Sequence, residues 1–400
     1  MVRRRLTAVG VFAAAAALAL SGCANQGGSG GGGAAAVPAP SAPSDAAMPQ
    51  GNGQGRCAPG TSIAYVGTIA GESPALGEPV LNSTKLAIDQ HNQANPNCQI
   101  TFKQFDSGGT GATAIGPTTA AITDPTILGI VGLPFSGESK AVGPAMNAAG
   151  LVNISPSATN PGLTQNGWTN FFRALGNDAV QGPAAAKFIT DQFKPQTVCV
   201  IRDDSDYGIG LADQITQALG PQVASCQESV KSKQVDFAAT VGKVQQTNPQ
   251  AVFYSGYYPE AAPLVQQLKD RGVTAPFIAP DGTKDEAYVT NSGGAAEGSF
   301  LTCPCVPSSG FTAYTGAYQQ AFGKAPGSYG AEAYDAATIL LSGIDKGAAD
   351  RASLLTYVRG YQGQGLTKRF QWQPNGELTQ TPLWSYKVQG GQIVPERSIA

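Results

Sequence analysis

Histidine is nearly missing from this chain of 400 residues: His91 stands alone, and methionine and tryptophan number only three each. One histidine leaves little for a Ser-His or Cys-His catalytic pair, and neither a G-x-S-x-G elbow nor a Walker A loop occurs, so the sequence points away from an enzyme. His91 itself lies in the polar tract Asp89-Gln90-His91-Asn92-Gln93, which reads as the solvated face of a helix. Charge is also scarce. Charged residues make up 13% and the formal net charge is −2, so there is no basic face to neutralise phosphates, and nucleic acid is not an expected partner. With a single histidine and no second C-x-x-C, neither a metal site nor a cofactor is expected. The longest apolar run, Leu6 to Leu20, is about fifteen residues, short of the roughly twenty that a membrane span needs.

What that run does fit is an export signal, since Arg3, Arg4 and Arg5 precede it and a small-residue site follows. Its ending, Leu20-Ser21-Gly22-Cys23, looks like the bacterial lipobox, in which Cys23 is lipidated and becomes the first residue of the mature protein. The plainer reading is a cleaved signal with an incidental cysteine, which leaves the protein freely secreted. Residues 24–55 are rich in glycine, then in alanine and proline, with no periodic apolar pattern; they read as a flexible coil holding a folded body off a membrane. Beyond Cys23 six cysteines remain, an even number in an exported chain. Pairing by strand neighbours joins Cys57 to Cys98 and Cys199 to Cys226, and leaves Cys303 and Cys305 as a bridge across one residue or as free thiols.

The folded part alternates strand and helix. Ser62–Thr68, Gln99–Asp106, Ile127–Gly132 and Leu151–Ile154 read as strands, with helices from Pro79, Thr113 and Ser136 between them. The run Leu151–Ile154 breaks into Ser155-Pro156-Ser157-Ala158-Thr159, delivering small hydroxyls and free amides to the carboxyl end of a buried parallel strand, where ligands bind in open α/β sheets. Residues 174–181 carry no core pattern and read as an interdomain crossing. A second series follows: strands at 197–202, 222–230, 251–256 and 275–279 with helices at 182–192, 208–219, 236–246 and 259–271. Helices at 314–322 and 332–346 return to the first lobe. The expectation is an α/β protein of two Rossmann-like lobes.

Five stretches, Ile154-Ser155-Pro156-Ser157-Ala158-Thr159-Asn160-Pro161, Leu163-Thr164-Gln165, Gln181-Gly182-Pro183-Ala184-Ala185-Ala186-Lys187, Tyr207-Gly208-Ile209-Gly210-Leu211-Ala212 and Tyr254-Ser255-Gly256-Tyr257-Tyr258-Pro259-Glu260, follow one another in the order seen in leucine/isoleucine/valine-binding proteins. From about Ser62 onward the chain resembles a type I periplasmic binding protein of that group. The resemblance implies two lobes joined by three hinge crossings, near Gly176, at Cys303 to Cys305 and at Lys368 to Trp372. After the signal peptide (1–22) and the lipidated cysteine and linker (23–55) read from the residues, it divides the chain into lobe one (56–176, continued 305–369) and lobe two (177–304, continued 370–400). It further implies a monomer on the outer face of the cytoplasmic membrane, with an amino acid or amide as ligand and the permease subunits of an ABC importer as partners. A sensing receptor of the same fold, signalling to a protein partner, is the alternative.

By the same resemblance the first lobe offers Pro134, Phe135, Ser136, Ser157 and Thr159, whose hydroxyls and helix N-terminal amides suit a carboxylate. The second offers Tyr207, Tyr257 and Asp281, with Asp281 taking the place of a longer acid that meets the ligand ammonium. Leu76 stands where many relatives carry an aromatic ring, and Tyr329 matches a second aromatic position. Glu138 occupies a place that is commonly a small hydroxyl residue; it reads first as a solvated acid in a helix first turn, and otherwise as a cleft residue favouring a cation.

Overall fold

A computed structural model describes residues 38–400, so the signal segment, Cys23 and residues 24–37 lie outside the described residues. The first sheet is built from β1 (Ser62–Gly67), β2 (Thr101–Asp106), β3 (Ile127–Gly132), β4 (Val152–Ser155) and β5 (Phe171–Arg173), all parallel, in the order β2-β1-β3-β4-β5. Between them run α1 (Pro74–Ala94), α2 (Gly111–Thr123) and α3 (Ser136–Ala148). β1 and β3 are buried at every position, as continuous apolar runs covered on both faces must be, whereas β2 at the edge has no buried position. Each strand ends in a turn that opens toward one side of the sheet. At Gly132, the last residue of β3, φ is 141° and a Cβ would collide with Val66 O, so only glycine lets the chain leave the sheet there.

The second half repeats the plan. α4 (Asp178–Phe193) leads to β6 (Val198–Arg202), followed by α5 (Asp206–Leu219), β7 (Gln227–Ser229), α6 (Ala238–Thr247), β8 (Ala251–Ser255), α7 (Tyr258–Asp270), β9 (Phe277–Ala279), α8 (Glu286–Asn291) and β10 (Phe300–Cys303). The chain then returns through α9 (Thr312–Phe322), α10 (Gly330–Asp345) and α11 (Arg351–Arg359) to a hairpin of β11 (Gln362–Gln364) and β12 (Arg369–Gln371). α10 is buried along nearly its whole length, packed on α1 and against β3, and so belongs to the first lobe. Finally β13 (Trp384–Gln389) and β14 (Gln392–Ser398) add antiparallel to β10, completing a second sheet of order β14-β13-β10-β9-β8-β6-β7.

Several expectations are corrected. The crossing read over 174–181 is shorter: α4 starts at Asp178, N-capped by Asn177 Oδ1, which accepts from Val180 N. Its first turn buries the polar residues Asp178 and Gln181, so no apolar period marked it. The single strand read over 222–230 divides into a 3-10 turn at Gly220–Val223 and the short β7. The third crossing comes later than Lys368–Trp372, because Trp372 Nε1 donates to Arg173 O at 2.7 Å and Arg173 N donates to Gly376 O at 3.1 Å, tying this stretch to the edge of the first sheet. Further on, Thr381 packs against Gly176.

The coil expected up to residue 55 is also overturned for its described part. Ala47 N donates to Gln364 O at 2.7 Å, Gly55 N to Asn95 Oδ1 at 2.8 Å, and Asn95 Nδ2 to Gln50 O at 3.1 Å. The carbonyls of Ala39 and Pro40 press so closely on Gly310 that a Cβ would not fit there. Residues 39–55 therefore form a strap along the first lobe, held through backbone groups that composition does not reveal. His91 is likewise fully buried rather than solvated, with Nε2 3.0 Å from Asp345 Oδ1. All three cysteine pairs are bridged: Cys57–Cys98, Cys199–Cys226 and Cys303–Cys305.

Candidate functional site

The carboxyl ends of the parallel strands of both lobes meet across one cleft. From the first lobe come the loop after β3, which enters α3, and the loop after β4; from the second come the starts of α5 and α7 and the turn after β9. Their contacts are direct. Lys140 Nζ pairs with Asp206 Oδ1 at 2.6 Å, Asn160 Nδ2 donates to Asp206 O at 2.6 Å, and Lys233 Nζ reaches Glu72 Oε1 at 2.7 Å. The Phe135 ring stands edge-on to Tyr257 with centroids 5.0 Å apart, and Tyr257 lies 5.0 Å from Tyr207. The two walls are closed on each other.

At the centre sits Asp281, buried in a 3-10 turn after β9. Its Oδ1 accepts from Tyr207 OH at 2.6 Å and from Gln181 Nε2 at 2.8 Å, and its Oδ2 accepts from Tyr329 OH at 2.8 Å. Burial pushes this carboxyl up from the usual range while the three donors oppose the rise. Tyr207 and Tyr329 are pushed up by burial and then by the Asp281 charge, so both stay neutral donors. Asp281, Tyr207 and Tyr329 are thus brought together as the sequence suggested. Gln181 was missed, because the turn that carries it was read as an irregular crossing.

The opposite wall carries the hydroxyls. Ser136 opens α3, and its Oγ accepts from Asn160 N at 3.2 Å; Ser157 Oγ donates to Pro134 O at 2.9 Å. Thr159 Oγ1 is buried without a hydrogen-bond partner. Arg173, fully buried behind this loop, pairs with Glu377 Oε1 at 2.9 Å, and its other nitrogens donate to Ala158 O and Asn160 O, fixing the backbone of the wall. No motif announced Arg173, since its partners lie far away in sequence. Leu76 is placed differently from expectation: α1 begins at Pro74, so Leu76 sits in a helix first turn and points into the core. It lines neither cleft cavity described below.

Two cavities border the cleft. One, of about 670 Å3, is lined by Phe135, Tyr257, Tyr258, Glu138, Glu260 and Lys233 among others. The other, of about 360 Å3 on the hinge side, is bounded by Tyr329, Lys284, Glu332 and Cys305. Ser136, Ser157, Thr159, Tyr207 and Asp281 line neither, lying in the closed seam instead. Glu138 is not a solvated first-turn acid. It is 0% exposed, accepting from Ser107 Oγ and from Phe135 N at 3.2 Å, and burial pushes it up to about 7. Glu260 is pushed up to about 7 in the same way, and Lys284, half-buried over the Tyr386 ring, is pushed down to about 8 by desolvation. Among the described residues one grouping has metal-ligand chemistry, His91 with Cys98 and Asp345, but the Cys98 sulfur is already bonded to Cys57.

Comparison with known proteins places the chain in a family. A family model described as "Periplasmic binding protein" matches residues 60–392. The leucine-specific-binding protein of Salmonella typhimurium is 30% identical over 255 residues, 63% of this chain and 69% of that protein. The leucine-, isoleucine-, valine-, threonine-, and alanine-binding protein of Pseudomonas aeruginosa is 28% identical over 326 residues, 79% of this chain and 86% of that protein. Among solved structures, the branched-chain amino acid transporter substrate binding protein LivJ of Streptococcus pneumoniae, in complex with isoleucine, superposes with a TM-score of 0.79 at 23% identity, over 84% of this chain and 99% of that one.

Proposed function

The chain belongs to the periplasmic binding protein family, and from that premise we propose that it is the extracytoplasmic solute-binding component of an ABC importer, taking a branched-chain or related amino acid into its cleft. Membership in a family of binding proteins makes it a binder rather than an enzyme. The observation that carries the reading is the central seam: a buried carboxylate, Asp281, held by Tyr207 and Tyr329, faces a wall of small hydroxyls at the start of α3. A zwitterion needs this division. The ligand carboxylate goes to the N-terminal amides of α3 and to Ser136, Ser157 and Thr159, where unpaired N–H groups and the helix dipole favour an anion. The ammonium goes to Asp281. The aliphatic side chain extends toward Phe135 and Tyr257, which border the larger cavity.

Closure of lobe one (56–176 and 305 to about 378) on lobe two (177–304 and about 383–400) buries the ligand, and the permease subunits recognise the closed form. Cys23, in its lipobox-like setting, carries the lipid that holds the protein at the outer face of the cytoplasmic membrane, where it works as a monomer. A thermal-shift screen of the twenty amino acids tests the reading. A ligand at 100 times its dissociation constant adds about 2.7 kcal/mol to stability, so leucine, isoleucine or valine should raise Tm by several degrees. Asp281→Ala and Thr159→Ala should abolish the rise. A shift undiminished in both variants places the pocket elsewhere.

A further inference from the structure

Four buried acceptor atoms of the seam have no hydrogen-bond partner: both oxygens of Asp178, Gln181 Oε1 and Thr159 Oγ1. They form one group. Asp178 and Gln181 stand three residues apart at the start of α4, on the same face, and Gln181 Nε2 already reaches Asp281. Asp178 N donates to Thr159 O at 3.0 Å, which places Thr159 beside it. Leaving a carboxylate buried with neither donor nor counter-ion costs several kcal/mol, so native proteins fill such places. Here, among the described residues, no cation bonds Asp178, and the Thr159 hydroxyl is the one side-chain donor set against it. Arg173 is the nearest cation, but its nitrogens are taken by Glu377, Ala158 O and Asn160 O. Lys284 faces Asp281 from the far side, with its ammonium on Ser328 Oγ at 3.1 Å.

We infer that Asp178 and Asp281 together form the seat of the ligand's ammonium, that the pair holds one proton while the cleft has no ligand, and that binding of an amino acid expels that proton to solvent. The inference rests on the functional reading above and deepens it. Two carboxylates sharing a buried site cannot both ionise without a cation between them. An ammonium brings three N–H donors, for Asp178, Thr159 Oγ1 and Gln181 Oε1, and one positive charge beside Asp281, whose oxygens already accept from Tyr207, Gln181 and Tyr329, so both acids can ionise. The proton leaves a carboxyl oxygen and passes to a buffer base, while the ligand ammonium keeps its own three. Both carboxyls are raised by burial, Asp178 next by the Asp281 charge, with the Thr159 hydroxyl and then Arg173 opposing and Glu377 adding to the rise. Tyr207, Tyr257 and Tyr329 face the pair as neutral phenols.

Calorimetric titration of the full chain with L-leucine at pH 6.5, in buffers of different ionisation enthalpy, tests this. The expected result is release of close to one proton per ligand and an affinity that rises with pH through the pair's titration. Asp178→Asn should cut the release to near zero and weaken L-leucine binding tenfold or more. In wild type, the 2-hydroxy analogue of leucine, which lacks the cation, should not bind. Heats independent of buffer, or equal proton release by wild type and Asp178→Asn, overturn the inference while leaving the functional reading intact; no binding of leucine, isoleucine or valine overturns the functional reading itself. The wild-type buffer series decides the matter even where the variant fails to fold.

Discussion

The phenol of Tyr329 donates to Asp281 Oδ2 at 2.8 Å, and this bond joins the N-cap of α10, in the first lobe, to a turn of the second. It is a latch between the halves. Tyr329 adopts φ 66°, a left-handed conformation uncommon outside glycine, which aims its ring at the acid. A hydrogen bond to a charged group contributes roughly 1.5–3 kcal/mol. Tyr329→Phe should therefore shift the ligand-free protein toward an open form, raising its radius of gyration in solution scattering. An unchanged scattering profile would show that the latch does not hold the halves.

Glu138 makes stability pH-dependent in the acid-to-neutral range. Its carboxyl rises from 4.5 to about 7 on folding, chiefly by burial. Between these values the folded chain keeps a proton that the unfolded chain has lost, so stability falls as pH rises through that window and levels off above it. The total is on the order of 3 kcal/mol. Glu138→Gln, which mimics the protonated form, should flatten much of the slope in denaturant melts between pH 4.5 and 7. Glu260, raised to about 7, Asp203 and Asp335, raised to about 6, and the raised Asp178, Asp281 and Asp285 contribute to what remains.

Asn95 holds the strap through Gly55 N and Gln50 O. Asn95→Ala leaves a buried amide unpaired, a loss of about 1–3 kcal/mol. Hydrogen exchange at Gly55 should accelerate roughly tenfold or more, and trypsin should cleave faster after Arg56. Equal exchange in variant and wild type would mean that the strap is held by other contacts.

Cys199 and Cys226 are 27 residues apart and cross-link β6 to the approach of β7. Closing a loop of this length stabilises by about 3.5 kcal/mol on the chain-entropy account. A Cys199→Ala/Cys226→Ala double variant should lose close to that amount in urea unfolding. A loss under about 1 kcal/mol would show that the unfolded chain is already confined there.

The parts legible in the sequence were those whose signal is local. β1, β3 and β8 are apolar runs that read as strands without help, whereas Asp281, Tyr207 and Tyr257, although they follow strand ends, were singled out only by the family resemblance. What escaped depended on distant partners. His91 looked solvated because its mate, Asp345, is 254 residues away, and Arg173 gave no hint of its tie to Glu377. The strap looked like coil because glycine, alanine and proline dock through carbonyls and amides rather than through side chains. β13 and β14 were missed because antiparallel edge strands, here with Pro395, Glu396 and Arg397, lack the apolar continuity of the parallel ones.

The strap also sets the length of the leash. If Cys23 is lipidated, about sixteen residues separate the acyl chains from Ala39, the first of the described residues to rest on Gly310, and fully stretched they reach no further than roughly 55 Å. An undocked stretch out to Cys57 would allow about twice that distance. With such an anchor the body would be confined to a thin layer over the bilayer, moored beside the second crossing rather than at a lobe tip, so its halves would swing without drawing on the leash and its search for a transporter would be a lateral one.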